Sequence, residues 1–189
     1  MDTRSGPRAG PRSGPWTVHA VLALPEDTHH RVELLGGALL LSPRETVPHQ
    51  RAASRLAALL SAAAPAPFEV LEAVNVLVPD GLLIPDLVIA DAAAAAGAGA
   101  TLHADDVVVA VEIASPSTEV IDRRTKPGLY AAAGVPHYWR LDLDPAPRLH
   151  LGRLAPDGGG YLDRTVQPGE SAALTDPFRL DLDPAALRR

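Results

Sequence analysis

Residues 107–114 read VVVAVEIA, a near-continuous run of β-branched residues. Such a run suits a strand buried on both faces, in the middle of a sheet that helices cover. One residue breaks the pattern. Val111 and Ile113 alternate to the side opposite Glu112, so a carboxylate sits in the most apolar strand of the chain and its own side must offer something polar. For Glu112 alone, a strand-end salt bridge to an arginine and a functional acid are equal readings. Working outward, residues 84–90, IPDLVIA, read as a second strand, entered through Pro85 and with Asp86 at its start. After the core strand, Ser115-Pro116-Ser117-Thr118 breaks the run, and the next periodic stretch, 129–133, ends at Gly134 in the position of a helix C-cap. Proline is tolerated only in a helix's first turn, so Pro127 makes this helix begin near Thr125 or kink there. Lys126 therefore falls at or beside its N-terminus.

Further out, residues 48–64 carry His49, Ala52, Ala53, Leu56, Leu59, Leu60 and Ala63 at three- and four-residue intervals, one apolar helical face. Arg44, Arg51 and Arg55 lie off that stripe, as on a solvated face. Residues 31–35 and 38–42 flank Gly36-Gly37 as a hairpin that carries Glu33. Strands are expected over 68–73, 74–78, 135–142, 148–154 and 161–166, with turns at 79–81 and 157–160. The Ala/Gly stretch 92–100 is expected to be a mobile loop, and the chain after 166 a loosely patterned arm. Residues 1–15 are Gly/Pro/Arg/Ser without periodicity and read as a disordered tail, followed by an apolar lead-in over 16–24 and a short helix starting at Pro25-Glu26-Asp27. Strands and helices alternate without a strict βαβ repeat. The expected class is α/β with a mixed central sheet, in a single domain over 16–189.

Composition narrows the chemistry. A chain of 189 residues suits one core, and with 47% hydrophobic and 21% charged residues it is not disordered throughout. No apolar run approaches the ~18–20 residues that cross a bilayer. No secretory signal opens the sequence, so the expectation is a cytoplasmic protein with no membrane partner. There are no cysteines, so any metal is held by oxygen or imidazole. A net charge of −6 argues against a broad basic surface but permits a local basic groove. Lys126 is the only lysine; every other non-histidine cation is arginine. It marks a position where a compact point charge serves better than a planar fork.

Asp86, Glu112 and Lys126 are the residues on which a site would be built. If the two acids stand on adjacent strands ~4 Å apart, they repel by about 4 kcal/mol at an effective dielectric near 20. A shared proton, an arginine or a divalent cation would relieve that. Carboxylate ligation suits Mg²⁺ or Mn²⁺, which keep waters and recruit phosphate oxygens, and phosphodiester hydrolysis follows from it. Lys126 would then position the nucleophile and neutralise phosphate. The other candidates have structural readings: His49 as a helix-start residue, Asp122 as a cap more than a partner of Lys126, and Tyr138-Trp139 as core or subunit contacts. The histidines show no paired spacing on a helix, which argues against zinc.

The string VVVAVEIASPSTEVIDRRTKPGLYAAAGVPHYW, with IPDLVIA, RVELLGGALLLSP and HQRAASRLAALL before it, resembles the Uma-two family of the PD-(D/E)XK nuclease superfamily. The resemblance runs from about residue 24 to 142. It implies a restriction-endonuclease-like core, a mixed sheet flanked by helices, with Mg²⁺ or Mn²⁺ held by Asp86, Glu112 and the backbone carbonyl of Ile113. Glu33 matches an acidic family position that joins such a site. The superfamily's lysine normally lies two residues after the glutamate, where this chain has Ala114. In the family it lies on the following helix, matched by Lys126. The implied activity is metal-dependent endonucleolytic cleavage of DNA, by a homodimer that presents two sites to two strands. A module of the same fold that binds nucleic acid or protein without turnover is the alternative, and a hydrolase of small phosphate esters a third.

Overall fold

The computed structural model describes residues 14–25, 29–115 and 118–188. Glu26 and Asp27 of the expected helix start and nearly all of the expected tail lie outside them. In chain order come helix α1 (Val18–Leu22), the hairpin β1 (His30–Leu35) and β2 (Ala38–Pro43), and the long helix α2 (Val47–Ala63). Strands β3 (Phe68–Glu72), β4 (Asn75–Val78), β5 (Gly81–Leu83) and β6 (Leu87–Asp91) follow, then α3 (Ala92–Gly97) and β7 (Thr101–His103). The core strand is β8 (Val107–Ala114). Helix α4 (Lys126–Ala132) leads to β9 (His137–Asp142), β10 (Arg148–Leu154), β11 (Tyr161–Val166) and a terminal hairpin of β12 (Ala172–Leu174) and β13 (Leu180–Leu182).

The mixed central sheet has six strands in the order β11-β10-β9-β8-β6-β3, parallel only between β8 and β9. A second mixed sheet, β2-β1-β5-β4-β7, stands beside it. Alternation along β8 divides the core as its sequence requires. Val109, Val111 and Ile113 face α2, where Ala52, Ala53, Leu56, Ala57 and Leu60 are buried, while Ala110 faces the other way, into a cluster with Tyr130 of α4 and Tyr138 of β9. Glu112 shares that second side. Leu59, counted on the apolar stripe, is 37% exposed, and Ala57 is buried instead. No helix of the described residues is long and apolar enough to cross a membrane.

Three expectations change. The Ala/Gly stretch is helical over Ala92–Gly97, because Asp91 caps it by accepting from Ala93 N and Ala94 N, both at 2.9 Å, and alanine is the best helix former. The lead-in at residues 16–24 contains α1, capped by the Thr17 hydroxyl. The C-terminal arm is part of the core: Phe178, Leu180, Leu182 and Leu187 pack with the α2 side of the sheet. The helix carrying Pro127 begins beside Thr125, one of the two expectations: α4 starts at Lys126, entered directly from a wide π turn over Ile121–Thr125, and Gly134 follows its end at φ 77°.

The second sheet depends on one close approach. Between β1 and β5 only Leu34↔Leu82 and Leu35↔Gly81 pair, and a Cβ on Gly81 would lie 2.1 Å from the Leu34 carbonyl oxygen. Backbone cannot yield as a side chain does, so Gly81→Ala is expected to part these strands and cost roughly 3 kcal/mol, read from a urea titration. Because β1 carries Glu33 and Arg31, the same substitution disturbs the site described next.

Candidate active site

Asp86 precedes β6, and Pro85 before it withholds a backbone donor just where the strand begins. The β6–β8 register, Leu87↔Val111, continued by one residue sets Asp86 across from Glu112. Asp86 Oδ2 accepts from Ile113 N at 2.7 Å, and Oδ1 accepts from Arg31 Nη2 at 2.8 Å. Arg31 Nη1 donates to the Ile84 carbonyl at 3.0 Å. From the first turn of α2, His49 brings Nε2 to 3.2 Å from Asp86 Oδ2, 3.0 Å from the Ile113 carbonyl oxygen and 3.4 Å from Glu45 Oε2. One imidazole nitrogen thus meets three oxygens, while His49 Nδ1 is buried without a partner.

The second half of the site is centred on Lys126. Its ammonium lies 2.9 Å from Glu112 Oε1, 3.1 Å from Glu33 Oε1 and 3.4 Å from Asp122 Oδ1, with the side chain only 2% exposed. Tyr130, one turn along α4, donates to the same Glu112 oxygen at 3.3 Å. Ile84 joins the halves: its N–H donates to Glu33 Oε1 at 2.7 Å and its carbonyl takes Arg31. Asp122, four residues before Lys126, lies in the π turn, and Tyr138 pins that turn by donating to the Asp122 carbonyl at 2.6 Å. Tyr138 and Trp139 are both core residues.

Five carboxyl groups, on Glu33, Glu45, Asp86, Glu112 and Asp122, face two permanent cations and one imidazole. Their proton affinities diverge accordingly. Burial raises Asp86, but the His49 hydrogen bond and the Arg31 charge outweigh it and hold the carboxyl below its usual range. Burial pushes Glu112 well up despite Lys126, with Asp122, Asp86 and Glu33 adding to the rise. Burial likewise raises Glu45 and Asp122. Lys126 is desolvated, yet Glu112, Glu33 and Asp122 hold its ammonium charged far above the ordinary lysine range. Burial opposes a charge on His49, and Asp86 and Glu45 more than compensate, so its affinity is raised.

A third ion cluster fixes the frame. At the end of β9, Asp142 accepts from Arg140 Nε, Arg123 Nη2 and His150 Nε2, each at 2.9 Å. Arg123 belongs to the π turn, so Asp142 ties that turn, with Asp122 and Lys126, to the sheet. Burial raises Asp142, but hydrogen bonds from His150 and Arg140 win and depress it strongly. A carboxyl depressed in the folded state contributes stability above its unfolded value near 3.9 and loses it as pH falls through the folded one. Asp142→Asn is therefore expected to cost roughly 2 kcal/mol at neutral pH and to flatten the acid limb of a stability–pH profile.

The structure brings Glu33, Glu112, Asp122 and Lys126 into one cluster and joins Asp86 to Ile113 in the adjoining one. Asp122 faces Lys126 and makes no cap of α4. Of the three reliefs open to paired acids an arginine is present, on Asp86, and a lysine, which was not among them, neutralises Glu112. Sequence reasoning missed Arg31 and Glu45, and read His49 as a helix-start residue; it does stand in the first turn of α2, and its ring also reaches Asp86. Among the described residues, the metal-type donors that converge are Glu45, His49 and Asp86, whose ligand atoms lie within 4.8 Å of one another; Glu112 faces Lys126 instead. The available signal was the i,i+4 spacing of Glu45 and His49 at a helix start.

The fold and the acid-rich strand ends define a restriction-endonuclease-like α/β protein. The chain belongs to the Uma2 family, described as "Putative restriction endonuclease", whose model matches residues 18–187. Among solved structures, the crystal structure of "a putative nuclease belonging to DUF820" from Anabaena variabilis is similar, with TM-score 0.75 and 14% sequence identity over 93% of this chain and 100% of that one. At that identity the likeness is one of fold. No curated protein matches the sequence.

Proposed function

We propose that this protein hydrolyses phosphodiester bonds of DNA as an endonuclease dependent on Mg²⁺ or Mn²⁺. The observation that carries this reading is the convergence of Asp86, Glu45, the His49 ring and the Ile113 carbonyl at the ends of two adjacent core strands, beside Glu112 and Lys126. The donor set fits such a cation: oxygens with one imidazole, no thiolate, and an excess of carboxylates. An unpartnered, buried His49 Nδ1 also shows that hydrogen bonding within the protein does not satisfy this ring. Asp86, His49, Glu45 and the Ile113 carbonyl would hold the cation, with Glu112 next to it across the strand pair. When bound, a divalent cation stabilises developing charge on a phosphoryl group and makes water a stronger nucleophile.

The chain's own residues do the rest. The Ile113 N–H fixes Asp86, so the carboxylate is aimed before any ligand arrives. Lys126 opposes the protonation of Glu112 that burial favours and would set positive charge on the side of the site where the attacked phosphate would sit. Glu33 and Asp122 hold Lys126 in place, as accessory acids. A homodimer and a cytoplasmic location belong to the same reading.

Supercoiled DNA incubated with the protein and Mg²⁺ or Mn²⁺ is the test: metal-dependent nicking is expected. No nicking by the wild type, or equal nicking by Glu112→Ala and Lys126→Ala, rejects the reading. The alternative of a binding module without turnover has one observation in its favour, that Arg31 and Lys126 already neutralise Asp86 and Glu112. Salt-dependent DNA binding that survives Asp86→Asn, with no cleavage by either protein, would favour it.

A further inference from the structure

Two cations neutralise the acids, and their surroundings differ. Lys126 is enclosed by three carboxylates and has no exposed route outward. Arg31 has a side chain 17% exposed and lines a cleft of about 460 Å³ shared with His30, Arg44, Glu45 and Gln50. Its grip on Asp86 is a single nitrogen on a single oxygen, with its other terminal nitrogen on the Ile84 carbonyl. Asp86 does not depend on it for orientation, since Oδ2 stays fixed by Ile113 N and His49.

We propose that Arg31 is an exchangeable counter-ion, leaving Asp86 for a phosphate of the substrate strand in this cleft, so that phosphate and divalent cation bind the site cooperatively. This rests on the phosphodiesterase reading above. A guanidinium and a divalent cation repel one another on one carboxylate, so a cation arriving alone must displace Arg31 with nothing to receive it. A phosphate receives it well, because the planar fork matches two phosphate oxygens. Glu45, which lines the same cleft and repels a phosphate until a cation neutralises it, adds to the same coupling. Linkage makes the effect of phosphate on the cation equal to that of the cation on phosphate, and couplings of this kind run from about fivefold to about 150-fold.

Mn²⁺ binding, followed by the electron paramagnetic resonance of the free ion, tests the exchange without relying on cleavage. The probes are Mn²⁺ alone and Mn²⁺ with a short duplex carrying cleavage-resistant phosphorothioate linkages. For the wild type, the duplex is expected to tighten Mn²⁺ binding about tenfold or more. Arg31→Gln without DNA is expected to bind Mn²⁺ about tenfold more tightly than the wild type, and to gain less from the duplex than the wild type does, since only the Glu45 part of the coupling remains. Equal or weaker Mn²⁺ binding by Arg31→Gln overturns the exchange. Should circular dichroism show that variant unfolded, Arg31→Met decides: it keeps an aliphatic stem without the charge, so Mn²⁺ binding no tighter than wild type overturns the exchange. A wild type that cleaves DNA but shows no coupling removes this inference and leaves the phosphodiesterase reading standing. Absence of Mn²⁺ binding by every form removes both.

Discussion

Lys126→Met is expected to destabilise the fold by about 3–5 kcal/mol and to abolish metal-dependent nicking, because it removes one partner from a buried ion cluster and leaves the others. Methionine nearly matches the lysine stem in volume, so the loss is electrostatic rather than a cavity. Glu33, Glu112 and Asp122, all within 3.4 Å of the ammonium, would then face one another without a cation. Burial already raises Glu112 and Asp122, and loss of the ammonium raises them further. The sign of the pH dependence follows. Acids whose folded affinity exceeds the unfolded one bind protons in the native state, so the variant should gain stability as pH is lowered from about 8 towards 5. Wild-type protein loses stability at still lower pH, where Asp142 is protonated. Urea titrations across that range read both limbs, and a variant within about 1 kcal/mol of wild type at neutral pH would show that the lysine does not hold this cluster together. Lys126→Arg should not rescue, since a planar fork is too broad for a nest sized to an ammonium.

Half of this site can be read from the chain and half cannot, for a physical reason. Alternation along VVVAVEIA puts Glu112 on the side away from α2, and the helix that follows supplies Lys126 and Tyr130 to that side. Those contacts span 14 and 18 residues, within one strand–helix unit. Arg31 and His49 reach Asp86 across 55 and 37 residues, from a second sheet and from the helix on the opposite face. Where those elements dock is a tertiary outcome that no local period encodes; RVELL reads equally well as an outward hairpin strand. The C-terminal hairpin was obscure because three-residue strands are too short to display a period. Helix α3 was read as a loop although its local mark is present: Asp91 ahead of a run of alanines is a cap and a helix. The π turn had no local mark beyond Pro127, yet it is the segment that carries Asp122.

Asp86→Asn separates function from stability, and is expected to reduce nicking by about 10²- to 10³-fold, the scale on which loss of a preorganised charged group acts. The amide keeps the size of the side chain and one oxygen for Ile113 N, so β6 and β8 stay in register. What changes is charge. Arg31 and His49 lose the anion between them, and the amide nitrogen presents a donor to donors. Arg31, being partly exposed, can turn into the cleft and be solvated, so the cost should be about 1–2 kcal/mol, or a fall of roughly 2–8 °C in the thermal midpoint. Lys126 has no such exit, which is why its replacement strikes the fold and that of Asp86 strikes the chemistry. A chelator should reproduce the Asp86→Asn activity loss in wild type, reversed by added Mn²⁺ or Mg²⁺, while leaving Asp86→Asn unaltered. Nicking by Asp86→Asn at the wild-type rate would place the reaction elsewhere in the molecule.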